Sequence, residues 1–373
     1  MEKLKKKWPL WLGVGAFVLG THYLMIVIAQ IMLSGSFSFS GLGDLIINRL
    51  TQPGDAPRYL DIAENGYTAT GENAINLVFY PLFPYLMRAV GLLTGSLPVA
   101  GMLISQVGYA AASILLYELI LLDGDQRNAW DGVMLMAFYP FSMFGMGVFS
   151  EGLFLCLTIG CLYAIRKANY IAAGLLGFLS ALTRTQGMLL LFPAVCDWVM
   201  RKVGEEKRKE RASDLFLALI PLGFCCYLLI NYLLHGNCFQ FLIFEANAPW
   251  YQSTKWISEN IAQHYQMAQS NPGLAWVIYM AQLILYFGVL FILFLGLRQK
   301  ANLIYVLYGG VYLGFSYLSG WMISGGRYMF ACVPVYLILS RLKDGIPRKA
   351  LLMGSAALYF CYSLFYLKGF AIM

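Results

Sequence analysis

Residues 55–67, DAPRYLDIAENGY, place two aspartates, a glutamate, an arginine and two tyrosines within thirteen positions of an otherwise apolar chain. A carboxylate in a stretch this dense in turn-formers and aromatics is a candidate general base, able to take a proton from an attacking hydroxyl. Asp55, at its head, is that candidate. Two arginines farther along, Arg184 in LTRTQG and Arg327 in SGGRY, sit beside glycine or small polar residues at the edges of apolar runs. The planar guanidinium can grip phosphate oxygens two at a time. An arginine at a membrane edge also serves as a snorkelling anchor, and both readings stand at this point. Glu151 opens an apolar run in GVFSEGLF, where an acid behind a Ser150 cap complements a helix N-terminus. His235 and His264 share a loop but read as polar surface rather than metal ligands. The eight cysteines form no CxxC pair, and seven lie in apolar runs, so no disulfide framework is expected.

The elements that must carry these residues are membrane spans. The 373-residue chain is 60% hydrophobic and 12% charged, with mean hydropathy +0.65, whereas soluble domains carry roughly 25% charged residues. Apolar runs long enough for a ~30 Å hydrocarbon core recur from end to end. These numbers exclude a water-soluble domain and imply an all-α polytopic membrane protein. The start, MEKLKKKW, is basic, and the run at 9–33 is too long for a signal-peptide core, so it reads as a retained anchor with a cytoplasmic N-terminus. Further spans are expected at 98–122, 131–149, a stretch ending at Arg166, 170–183, 187–200, 214–234, 273–297, 302–321, 329–340 and 350–367, about eleven in all. Residues 78–96, with Pro81, Pro84 and Arg88, read as a re-entrant or interfacial helix. Outer loops then cover about 34–97 and 235–272. This threading puts 19 of the 26 basic residues in cytoplasmic segments, as the positive-inside rule requires. No repeat or linker divides the chain, so residues 1–373 are expected to form one transmembrane domain.

Several stretches carry a resemblance. DAPRYLDIAENGY followed by NLVFYPLFPYLMRAV is similar to the W-D-x-x-x-Y/F-L-x-I-A-x-x-G-Y and F-F-P-x-x-P pattern of PIG-V-like mannosyltransferases, members of the GT-C superfamily of polyprenyl-phosphate-sugar-dependent glycosyltransferases. FYPFSMFGMGVFSEGLFL resembles the family's F-P-x-S-x-F and Y-S-E stretch, and AGLLGFLSALTRTQGMLLL its A-A-L-T-R-x-x-G stretch. FLIFEANAPWY and SGGRYMFACVP resemble its outer-loop tryptophan and C-terminal R-Y segment. The five matches keep one order across residues 55–334. Gly54 stands where the family has tryptophan, Arg58 where it has histidine or tryptophan, and Phe149 where it has the tyrosine of Y-S-E.

The resemblance implies a GT-C-like bundle with juxtamembrane helices on the outer face. It places the family's catalytic aspartate on Asp55, while Asp61 falls at a variable position. The implied reaction moves a sugar, mannose or another hexose, from a polyprenyl-phosphate donor to a lipid-linked or cell-surface glycan acceptor, with inversion. Arg184, Arg327 and Arg58 would hold the donor phosphate. Glu151, Tyr59, Tyr67, Tyr80, Trp250 and Tyr328 would line the substrate, although aromatic belts at membrane interfaces explain many such rings equally well. No nucleotide leaves, so a divalent metal is possible but not required. No cofactor and no nucleic-acid partner are expected. The expected location is a bacterial plasma membrane with the site facing outside. The rival reading is a non-enzymatic lipid flippase or transporter, which calls for charged or broken helices near the midplane. The expected spans lack clustered midplane charge, and the only clear candidate, Glu118, lies near the cytoplasmic end of its span.

Overall fold

The computed structural model describes residues 2–204, 211–273, 275–318 and 324–370. Its secondary structure is helical, in chain order α1 (Glu2–Ser34), α2 (Phe39–Leu50), α3 (Ala56–Asn65), α4 (Leu82–Thr94), α5 (Leu97–Ile120) and α6 (Gln126–Ala137). Then follow α7 (Glu151–Arg166), α8 (Tyr170–Ala181), α9 (Leu191–Val203), α10 (Leu219–His235), α11 (Gln240–Ala246) and α12 (Ile257–Ser270). The series ends with α13 (Ala281–Arg298), α14 (Leu303–Ser316), α15 (Gly325–Phe330), α16 (Val333–Leu339) and α17 (Ile346–Lys368). Among the described residues, five helices are long and apolar enough to cross a membrane: Lys7–Ser34, Leu97–Ile120, Ala212–His235, Ile278–Arg298 and Ile346–Lys368. A sixth is counted if the short helix Glu72–Val78 and α4 form one broken span.

The eleven crossings expected from apolar runs are therefore not matched by helix length. The run at 131–149 is not one helix: α6 stops at Ala137, and residues 138–150 form turns around a short 3-10 helix, Ser142–Gly145. Pro140 has no amide to continue the ladder. The run at 329–340 is divided between α15 and α16. Helices α8 and α14, of 12 and 14 residues, reach only about 18–21 Å at 1.5 Å per residue, short of a ~30 Å core. Helix α4, with 13 residues, is similarly short.

The chain forms two compact units. The first comprises residues 1–64, 83–159 and 339–372. Here α1 packs on α5, α6, α17 and α2. Its buried His22 fixes the break after α6, because Nε2 lies 3.0 Å from the Ser142 hydroxyl and Nδ1 lies 2.8 Å from the Val18 carbonyl. Ser142 in turn donates to the Ala137 carbonyl at 2.8 Å, satisfying the end of α6. On α5, Gly101, Ser105 and Gly108 make a strip of small residues against which residues 145–152 lie at backbone distance. A Cβ on Gly152 would stand 2.1 Å from the Ser105 carbonyl oxygen, the close approach that small residues permit between membrane helices. Glu118 accepts from Lys7 (2.6 Å) and from the Trp11 indole (2.8 Å). The second unit comprises residues 65–82 and 160–338. Here α8 packs on α10, where Gly177 and Gly223 let the helices meet, and Gly174 comes up against the Phe216 carbonyl of the 3-10 helix Ala212–Ala218.

Candidate active site

In the first unit, the sequence around Asp55 folds into a turn followed by the amphipathic α3. Ala56, Tyr59, Ile62 and Ala63 form its buried face. Asp55, just before the helix, and Arg58 and Asp61 within it are each half-buried. The Asp55 carbonyl opens the helix by accepting from the amides of Arg58 (3.0 Å) and Tyr59 (3.1 Å). Gly54 sits in the left-handed region at φ +63°, and a Cβ there would lie 3.5 Å from the Phe149 ring. Two of the departures from the family pattern, Gly54 and Phe149, thus face each other. The far end of α3 is held by Arg88, whose Nε and Nη2 donate to the carbonyls of Ala63 (2.6 Å) and Glu64 (2.8 Å).

The segment preceding α7 brings Glu151 into the same neighbourhood. The Val148 amide donates to the Leu50 carbonyl at 2.7 Å, and the Tyr59 hydroxyl hydrogen-bonds Ser150 Oγ at 3.1 Å. Ser105 closes the turn from α5 by donating to the carbonyls of Phe149 (3.0 Å) and Gly145 (3.3 Å). Glu151 is fully buried at the first position of α7. Tyr59 of α3 is thus bonded to Ser150, the residue just before Glu151, so α3 and the start of α7 lie side by side in this unit. Tyr59 itself is buried, its ring edge-on to Phe83 at 5.0 Å, so its contacts hold α3 in place.

The remaining candidates gather in the second unit. The Arg184 guanidinium lies over the Tyr328 ring, 5.6 Å from its centroid. That contact, an attraction between cation and ring face, brings Arg184 beside α15, where Arg327 is buried. Tyr328 is fixed at its carbonyl by the Tyr312 hydroxyl at 3.0 Å. Thr185, next to Arg184, donates to the Tyr80 hydroxyl at 2.8 Å. Tyr80 is buried and stacked on Tyr227 with centroids 4.0 Å apart. Tyr227 donates to the Leu77 carbonyl, and Tyr67 to that of Phe79. The half-buried Trp250 meets Phe79 edge-on at 6.0 Å. Sequence reasoning missed the parts played by Thr185, Tyr227 and Glu245. Glu245 lies on α11 within FLIFEANAPWY, and burial pushes its carboxyl up to about 7. Burial also lowers the pKa of His264, whose Nδ1 donates to the Asn260 carbonyl at 2.9 Å. Among the described residues, no group of three or more His, Cys, Asp or Glu side chains could hold a metal ion.

This is an all-α polytopic membrane protein, with five or six helices long and apolar enough to cross a membrane among the described residues. The chain is similar to ArnT from Cupriavidus metallidurans, solved bound to undecaprenyl phosphate, with TM-score 0.52 and 12% identity, covering 94% of this chain and 75% of that one. An Archaeoglobus fulgidus oligosaccharyltransferase in the apo form matches with TM-score 0.48 and 15% identity over 97% of this chain, which spans 57% of that protein. No family model matches the sequence, and no curated protein does. The likeness is one of fold alone and does not single out the PIG-V-like family.

Proposed function

We propose that the protein is a polyprenyl-phosphate-sugar-dependent glycosyltransferase of PIG-V-like type, working at the outer face of the membrane. The observation that carries this reading is the fold shared with ArnT over 94% of the chain, a neighbour that holds a polyprenyl phosphate. Asp55 at the head of α3 takes the proton of an acceptor hydroxyl. The freed oxygen attacks the anomeric carbon as the bond from that carbon to the phosphate oxygen breaks, and configuration inverts. Polyprenyl phosphate leaves with the bonding electrons. Arg184 and Arg327, with Arg58, balance the charge that develops on the phosphate. Glu151 and the aromatic residues Tyr59, Tyr67, Tyr80, Trp250 and Tyr328 shape or support the substrate region. The transferred sugar is mannose or another hexose, and the acceptor is lipid-linked or on the cell surface.

Donor binding tests this directly. Arg184→Ala and Arg327→Ala should each weaken binding of a purified polyprenyl-phosphate sugar by about 10- to 100-fold, the range for losing hydrogen bonds to a charged group. Lysine at either position should restore only part of it, because the two-pronged grip is lost. Unchanged donor affinity in both folded alanine variants would reduce the two arginines to membrane anchors.

A further inference from the structure

Away from those residues, within the second unit, α9 and the 3-10 helix Ala212–Ala218 that leads into α10 enclose a groove of about 750 Å³. This volume lies within the range of about 300–1,000 Å³ typical of small-molecule sites. Most of its wall is apolar, with Leu191, Val195, Leu217 and Pro221 among the lining residues. Val195 and Leu215 are 42% and 77% exposed, so the wall continues onto an open apolar surface. The other end is polar. The Trp198 indole donates to Asp214 at 3.1 Å, and Lys202 Nζ stands 4.9 Å from the centre of the same ring. The exposed Arg211 lines this end. The Asp214 carboxylate also accepts from the Arg211 amide (3.2 Å) and the Ser213 hydroxyl (3.4 Å), so its charge is engaged locally. Residues 201–211, RKVGEEKRKER, carry six basic side chains against three acidic. A long apolar trough ending at an aromatic ring and two cations matches a molecule with a hydrocarbon tail and an anionic head.

We propose that this groove binds one anionic glycerophospholipid, its acyl chain along Leu191, Val195, Leu217 and Pro221 and its phosphodiester between Arg211 and Lys202. Clustered Lys and Arg on the cytoplasmic side of membrane helices attract anionic headgroups, each basic residue contributing about fivefold in affinity. By the positive-inside rule a stretch of this charge is expected on that side. The site requires no part of the transfer chemistry.

The full-length protein, purified in zwitterionic detergent, would be titrated by native mass spectrometry with phosphatidylglycerol and with phosphatidylcholine of identical acyl chains. One phosphatidylglycerol per chain should be retained, at an affinity about 25-fold above phosphatidylcholine for two basic residues. The Arg211→Ala, Lys202→Ala double variant should erase that preference. Ala218→Phe, which fills the groove, should abolish binding of both lipids. Both double-variant residues are exposed, so the charge test stands even if the filled groove does not fold. Equal binding of the two lipids by the parent would overturn the proposal, as would a preference that survives the double variant. Displacement of phosphatidylglycerol by decaprenyl phosphate at equal concentration would also overturn it, marking the groove as part of the donor site. A dimer that takes up no lipid would assign the groove to a second copy and overturn it too.

Discussion

Adding one methyl group at Gly152 is expected to damage the candidate site from a distance. A Cβ there would lie 2.1 Å from the Ser105 carbonyl oxygen, where real contacts are essentially never below 3.0 Å. The Gly152 Cα that carries it and the Ser105 carbonyl both belong to helical backbone, so α7 and α5 must part by about 0.9 Å. Gly108, about one turn farther along α5, is just as close, since its own Cβ would meet the Gly152 carbonyl at 2.9 Å. Parting the helices stretches the Ser105 hydrogen bonds that close the 145–150 turn. It also displaces Ser150, to which Tyr59 of α3 is bonded, and Glu151 beside it. Overpacking of this kind costs about 1–3 kcal/mol, and misplacing reacting groups by 1 Å can lower a rate by about 10²-fold. Gly152→Ala should therefore melt at a lower temperature and transfer sugar from a polyprenyl-phosphate donor roughly 10- to 100-fold more slowly. Gly20→Ala, on α1 with no atom within 4 Å of the added methyl, is the control. It should be neutral or stabilising by about 0.5–1 kcal/mol. Parent-like melting and parent-like rate in Gly152→Ala would refute the claim that the α5–α7 contact positions these residues.

Two ion pairs should behave differently when broken. Arg348 grips the buried Asp131 through Nε and Nη2 (2.6 and 2.5 Å), so Arg348→Ala strands a carboxylate and should cost about 3–5 kcal/mol in an unfolding titration. Lys7→Ala removes a half-exposed partner of Glu118 and should cost under about 1 kcal/mol, and equal losses would contradict the distinction. The Glu245 carboxyl, raised by burial from 4.5 to about 7, keeps its proton in the folded protein over a range where the unfolded chain releases it. That contribution to stability is fully present below pH 4.5 and fades as pH rises through about 7. Melting temperatures between pH 5 and 8 should accordingly fall more steeply for the parent than for Glu245→Gln, whereas parallel curves would show Glu245 titrating normally.

Long apolar runs made α1, α5, α10, α13 and α17 legible, because twenty consecutive apolar residues leave few alternatives to a span. Shorter runs misled. The residues at 131–149 are as apolar as a span, yet the chain turns there because His22 and Tyr109, from α1 and α5, bond Ser142 and the Met136 carbonyl around Pro140. Those partners are distant in sequence and leave no periodic signal. The turn at Asp55 was readable from the turn-forming residues around it. Its link to Glu151 was not, since it runs through Tyr59, Ser150 and a backbone contact at Leu50. Tyr59 and Tyr80 illustrate a second limit. An aromatic at a membrane edge reads alike whether its ring is buried on Phe83 or Tyr227 or lies open to a substrate. Glu245 on α11 shows a third, because desolvation of its carboxylate depends on neighbours that no local pattern encodes.

The most direct test of the account compares Asp55→Asn with Asp61→Asn in sugar transfer by the purified, folded protein. Asparagine keeps the shape of the side chain but cannot take the proton. Asp55 immediately precedes α3 and Asp61 lies within it, six residues on, and both are half-buried, so the comparison separates chemistry from local charge. Asp55→Asn should bind the polyprenyl-phosphate donor normally and transfer about 10²- to 10⁴-fold more slowly, the range for a lost general base, while Asp61→Asn stays near the parent rate. A parent-like rate in Asp55→Asn, with transfer abolished in Asp61→Asn or Glu151→Gln, would contradict the account and move the base to one of those carboxylates.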